Sequence, residues 1–180
     1  MNMQFTFMPE KAFAVLEKIV QNENHIEIKK AMKLMYLMEK AHLQRYGRQI
    51  ADDRLCAITH GPVPSNTLAL IENNKKCARM IDFKSSRDTL LHFFKIENNQ
   101  LIKNISPDMD VLSTSDVQVI DEILNHFKTY NTDELIEYTH NLPEYKIFAG
   151  RKNKEITIEY LTEECTRGVK EKAIVHAECA

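Results

Sequence analysis

The first patterned run of apolar positions follows Pro9. Ala12, Phe13, Val15, Leu16, Ile19 and Val20 fall on one stripe at helical spacing. Pro9 suits a first helical turn, where its missing N–H would have no partner. The stripe ends in the polar run Gln21-Asn22-Glu23-Asn24. A second helix is predicted over residues 27–46, with Gly47 as its stop. Ile28, Met32, Met35 and Leu43 mark one face, and Leu34, Tyr36, Leu37 and Met38 spread apolar surface round most of the circumference. A helix apolar nearly all round is one that the rest of the fold wraps. This is the expected central helix.

Residues 48–61 lose this periodicity and read as irregular or extended. In Gly61-Pro62-Val63-Pro64 two prolines remove two donors and fix two φ angles, so a rigid turn is expected. Leu68, Leu70 and Ile71 then suggest a short helix that fades at Asn73-Asn74-Lys75-Lys76. Residues 78–84 read as extended, and residues 91–96 and 100–103 as a β-hairpin turning on Glu97-Asn98-Asn99. Ser115 with Gln118 reads as a capping box, opening a helix that carries Val117, Ile120, Ile123, Leu124 and Phe127. Asn131 with Glu134 reads as a second box, opening a short helix through His140 that Pro143 ends. A last helix is expected from Thr157, with Ile158, Leu161, Cys165 and Val169 on one face and Gly168 as its weak point. No repeat, low-complexity tract or linker interrupts the chain, so one domain over residues 1–180 is expected. The fold class is mainly α with a small antiparallel β-hairpin, built around the central apolar helix.

Composition narrows the function classes. With 43% hydrophobic and 28% charged residues the chain has the makings of a core and a soluble surface. A net charge of -2 gives no general attraction to phosphate backbones. The densest basic groups, Lys29, Lys30, Lys33 and Arg151, Lys152, Lys154, read as solvated faces, so nucleic acid is not an expected partner. No secretory leader is evident, and no window reaches the roughly 18 apolar residues that span a bilayer. Cys56, Cys77, Cys165 and Cys179 stand singly, which fits reduced thiols. A cytoplasmic protein without membrane contact is expected.

Candidate chemistry is sparse. Cys56 with His60, and His176 with Cys179, have permitted zinc-ligand spacings, but the pairs are far apart in sequence. There is no nucleophile elbow, Gly-rich phosphate loop or metalloprotease helix motif. His60, His92 and His140 are better read as structural. Asp52-Asp53 beside Arg48 and Arg54 reads as a solvated, charge-balanced turn. Met32, Met35 and Met38 repeat every three residues; an adaptable groove would use them, but filling a core is the plainer reading. No catalytic residue, metal or cofactor is called for, and a role in binding another protein is expected.

Residues 33–71 carry a resemblance. Lys33-Leu34-Met35-Tyr36-Leu37, then Tyr46-Gly47, then Ala57-Ile58-Thr59-His60-Gly61-Pro62-Val63-Pro64 resembles the SocA-like, or Panacea, antitoxin domain, a family also found on phage-associated proteins. Residues 113–127, residues 135–145 with Thr139-His140, and Ile156-Thr157-Ile158 resemble its later segments in order, so the likeness spans about residues 10–161. Two departures stand out: His60 replaces an aromatic residue, and Tyr145 replaces a late Trp.

The resemblance implies a helical domain of type II toxin–antitoxin systems that neutralises a cognate toxin by direct contact. It also implies one alternative, an adaptor that delivers the toxin to an ATP-dependent protease. The small-residue ending Ala177-Glu178-Cys179-Ala180 would suit a degradation tag, but an unstructured end is the plainer reading. Tyr36, His60, Gly61, Pro62, Val63, His140 and Tyr145 are the candidate contact or motif residues. A small hydrolase using His60, His140 and Asp52-Asp53 is a further rival, and a DNA-binding autorepressor a weaker one.

Overall fold

The computed structural model describes residues 6–80, 82–148 and 154–163. In chain order these form α1 (Pro9–Asn22), β1 (His25–Glu27), α2 (Ile28–Tyr46), β2 (Leu55–Ile58), β3 (Gly61–Pro64), α3 (Ser65–Glu72) and α4 (Phe83–Phe93). There follow β4 (Phe94–Glu97), β5 (Gln100–Lys103), α5 (Thr114–His126), α6 (Thr132–His140), α7 (Pro143–Phe148), β6 (Lys154–Glu155) and α8 (Ile158–Leu161).

The chain is mainly helical, and α2 is its axis. Residues 31–39 are all buried, and α2 packs on α1, α5, α6, α8, β1 and β3. Met32, Met35 and Met38 are fully buried in the core and line no groove. Gly47 ends the helix as read, at φ 78°, with its N–H on the Leu43 carbonyl at 2.9 Å.

Two small antiparallel sheets flank the helices where one hairpin was expected. The first runs β1-β5-β4 and pairs Ile26 with Leu101 and Ile96 with Leu101. Asn98 and Asn99 take positive φ (49° and 61°) and close the β4–β5 hairpin, a role asparagine tolerates well. The hairpin starts at Phe94; residues 91–93 belong to α4, which also claims part of the stretch expected to be extended. Asp82 at the α4 N-cap makes no side-chain bond, and the run Lys84-Ser85-Ser86-Arg87-Asp88 hides the period of the buried Phe83 and Leu90. The second sheet runs β3-β2-β6, with Leu55 opposite Pro64 and Cys56 opposite both Val63 and Glu155.

Buried carboxylates organise the irregular stretch. Asp52 and Asp53, expected on a solvated turn, are 3% and 0% exposed. Asp53 accepts from the N–H groups of Asn66 and Thr67 (2.8 Å each) and from the Thr67 hydroxyl at 2.6 Å. It thereby caps α3, whose own N-cap is Pro64 and has no side-chain acceptor. Glu39 of α2 accepts from the N–H groups of Ile50 (2.7 Å) and Ala51 (3.0 Å).

The cap of α5 also differs from expectation. Ser113 with Asp116 forms the box, in place of Ser115 with Gln118. Asp116 wins because it has tertiary partners: Arg48 at 2.8 Å, the buried His42 at 3.0 Å and Lys11 at 3.3 Å. The Asn131–Glu134 box on α6 forms as read (2.9 and 2.8 Å). Pro143 follows the end of α6 by opening α7. Thr157 is the N-cap of α8; Cys165, Gly168 and Val169 lie outside the described residues.

Burial alone would raise the Asp116 carboxyl, but the bonds from His42 and Ser113 and the charges of Arg48 and Lys11 outweigh it and hold it well below the usual carboxylate range. Its stabilising effect is therefore present above the unfolded value near 3.9 and lost as pH falls below it toward the folded value. Asp116→Ala should cost about 3–5 kcal/mol, since it strands Arg48 and His42 and uncaps α5. Urea melts at neutral pH should show that gap, and melts at successively lower pH below 4 should show it shrinking.

Candidate functional site

The tight turn between β2 and β3 brings the candidate residues together. Thr59 and His60 form its exposed tip, and residues 61–64 behind it are all buried. The β2–β3 ladder pairs Ala57 with Pro62 and Leu55 with Pro64. The Ser65 N–H bonds to the Arg54 carbonyl at 2.8 Å, which fixes the alternation of the ladder. Pro62 and Pro64 then occupy positions whose backbone faces away from β2, where a missing N–H breaks no ladder bond. Chemically this leaves one demand: the outward carbonyl of Pro62 is buried and needs a donor.

Lys33 of α2 meets that demand. Its Nζ donates to the Pro62 carbonyl at 2.8 Å. The side chain is 2% exposed, where a solvated lysine was expected, and it makes no ion pair among the described residues. Burial, with a smaller push from the Lys29 charge, lowers its pKa to about 7.

Gly61 lies at φ +96°, a region that L side chains rarely adopt. Nor is there room for one. A Cβ here would stand 2.8 Å from Lys33 Nζ, 2.9 Å from His140 Cδ2 and 3.0 Å from His140 Nε2. His140, the last residue of α6, stacks on Tyr145 with ring centroids 4.8 Å apart and planes 14° apart. Its Nε2 is buried without a partner among the described residues. Burial, reinforced by the charges of Lys33 and His60, outweighs the opposing pull of the His60 backbone and holds the His140 ring below the ordinary histidine value.

Helix α7 locks the arrangement from the far side. The Tyr145 hydroxyl donates to the Ile58 carbonyl at 3.0 Å. Its neighbour Glu144, 2% exposed, takes the Tyr36 hydroxyl at 2.8 Å and Lys40 Nζ at 2.7 Å. Burial, then the Glu144 carboxylate, pushes the Tyr36 phenol well above its usual value. Val63 is buried in the core.

All seven candidates (Tyr36, His60, Gly61, Pro62, Val63, His140, Tyr145) thus belong to one neighbourhood. Lys33, Lys40 and Glu144 complete it and were not foreseen as its members. A lysine inside an otherwise apolar run, three residues before Tyr36, was the available signal for the first.

The other candidate chemistry disperses. Cys56 is buried on β2 with its thiol pushed up by burial, while His60 is exposed at the tip. Among the described residues no group of three or more His, Cys, Asp or Glu is placed to hold a metal. His176, Cys179 and the C-terminal Ala177-Glu178-Cys179-Ala180 lie outside the described residues, as do Arg151 and Lys152. His92 is an exposed residue of α4 against Phe93. No helix among the described residues is long and apolar enough to cross a membrane.

The site is thus one exposed turn secured by three helices, α2, α6 and α7, of a mainly helical fold. Residues 32–146 match the family described as "Antitoxin SocA-like, Panacea domain", and the chain belongs to that family. The match runs from α2 to α7 and takes in all seven candidates. Searches of curated proteins and of solved structures found no match.

Two substitutions probe this site. Gly61→Ala combines a strained φ with a clash against Lys33 and His140, and should lower stability by roughly 2–4 kcal/mol in urea melts. Adding His140→Ala should return only part of that loss, because the φ strain and the Lys33 contact remain. Lys33→Met should reveal the buried amine through pH. The unfolded chain keeps the Lys33 proton to about pH 10.4, whereas the folded chain releases it near 7. The cost of burying Lys33 is therefore full below pH 7 and relieved as pH rises. Wild-type stability should gain on Lys33→Met between pH 7 and 10, by at most about 1.4 kcal/mol per pH unit.

Proposed function

We propose that this protein neutralises a cognate toxin by direct binding and that the toxin docks on the face formed by the Thr59-His60 tip, His140 and the following loop. The observation that carries this reading is a contrast in burial. The contacts that shape the tip lie behind it, from Lys33 on Pro62 to Tyr145 on Ile58, while Thr59 and His60 themselves are exposed. A rigid, pre-shaped projection loses little freedom on docking, which favours tight association. Membership of an antitoxin family supplies the class of partner.

The reading is non-enzymatic. It is supported by the engagement of Lys33 and Tyr145 near the tip in holding backbone carbonyls. Asp53, the carboxylate a hydrolase would want, is taken up by the first turn of α3. A stable complex should bury on the order of 1,200–2,000 Å² in total, well beyond the tip alone.

The test is co-expression with the product of the adjacent gene, scoring growth rescue and co-purification together. A neighbour that is toxic alone, is rescued by this protein and purifies with it is the expected result. His60→Glu should then weaken rescue and capture while leaving the melting temperature unchanged. A harmless neighbour that never co-purifies removes the main support for an antitoxin role. Toxin that disappears in the presence of an ATP-dependent protease would turn the reading toward delivery instead of blocking.

A further inference from the structure

Beside this face, α6 and the residues on either side of it enclose an open hollow of about 450 Å³, lined by Tyr130, Glu134, Glu137, Tyr138, Asn141 and Leu142. Asn141 and Leu142 belong to the loop that directly follows His140, which is part of the proposed docking face. The rings of Tyr130 and Tyr138 stand edge to face, with centroids 6.4 Å apart. Both pack on the buried Phe127, at 5.1 and 4.9 Å, which fixes their orientation. Tyr138 is nonetheless 39% exposed.

The chemistry of the lining is one-sided. Glu134 commits one oxygen to the Asn131 N–H. Glu137 is exposed, and its carboxylate is engaged by no other described residue. Apart from Lys128, residues 104–145 contain no Lys or Arg, and Asp133, Glu134 and Glu137 are all exposed. Rigid aromatic rings beside a free carboxylate, in a field of negative charge, match a planar cation. A guanidinium stacks on a ring, bonds a carboxylate through two N–H groups and sheds water more readily than an ammonium.

We infer that this hollow receives an arginine side chain from a basic surface of the bound toxin; the inference rests on the antitoxin reading. The surrounding acidic surface would speed encounter and orient the toxin, while the arginine would fix its register on the tip.

Two experiments decide it. In the first, the full chain labelled for NMR is titrated with N-acetyl-arginine methylamide, and with the lysine and norleucine counterparts. Shifts concentrated at Tyr130, Glu137, Tyr138 and Asn141, strongest for arginine and abolished by Glu137→Gln, are expected. Shifts spread over acidic residues remote from the hollow, such as Asp108 and Asp110, or equal for lysine and arginine, would overturn the inference. In the second, capture of the adjacent gene product is compared for wild type, Glu137→Arg and Lys84→Glu, a charge reversal on α4. Glu137→Arg should weaken binding by about tenfold or more, with Lys84→Glu neutral. Wild-type capture with undiminished capture by Glu137→Arg would overturn the arginine pocket and leave the antitoxin reading standing. Failure of wild type itself to capture would count against the antitoxin reading, with the pocket then decided by the titration alone.

Discussion

A fully buried polar side chain needs a protein partner, and α2 carries four. Lys33, Tyr36, Glu39 and His42 follow one another at intervals of three residues. At about 100° per residue each lies roughly 60° round the axis from the last, so the series sweeps half the circumference. Each reaches a different part of the chain: Lys33 the β3 carbonyl, Tyr36 the Glu144 carboxylate of α7, Glu39 the backbone at 50 and 51, His42 the Asp116 carboxylate of α5. The methionines between them fill space without direction. Apolar burial thus supplies the driving force for wrapping α2, and these four polar contacts determine how it is wrapped.

The Gly61 turn follows from the first of these contacts. Prolines at 62 and 64 keep β3 at the edge of its sheet, and burying that edge under α2 and α6 excludes the water that would have solvated the Pro62 carbonyl. A lysine ammonium or amine can bridge from α2 to that oxygen, but only if residue 61 has no side chain in its path. The glycine, the prolines and the lysine are therefore one device, although they are separated by most of α2 and the irregular stretch after it.

That separation explains what could be read from the residues alone. The central helix was legible because its apolar positions exceed a single stripe, and the Asn98-Asn99 turn and the Asn131–Glu134 box because their determinants lie within four residues. The convergence of Tyr36, Gly61, His140 and Tyr145 was anticipated through family resemblance, since nothing local relates α2 to α7. Lys33 beside Lys29 and Lys30 looked like part of a solvated face, and its burial depends on a carbonyl 29 positions away. Asp116 displaced Gln118 at the α5 cap because Arg48 and His42, remote in sequence, already demanded a carboxylate there. Helix α4 escaped notice for the opposite reason: it has no cap and little apolar face, and it exists because Phe83 and Leu90 find a core prepared by other elements.

The same division bears on how such a scaffold meets a partner. Buried hydrogen-bonded groups contribute less to net stability than to uniqueness, because any alternative packing would leave a charge or carbonyl unsatisfied. Around the tip this uniqueness is concentrated in Lys33, Glu144 and Tyr145, none of which faces solvent. The exposed side chains of Thr59 and His60, and Glu137 on the rim of α6, are free of that duty. Changes in the buried set must therefore alter fold and recognition together, whereas changes at the tip and rim can redirect recognition while the frame stays intact. For the toxin contact proposed above this arrangement would be an advantage, since the surface could change without the scaffold having to be solved anew.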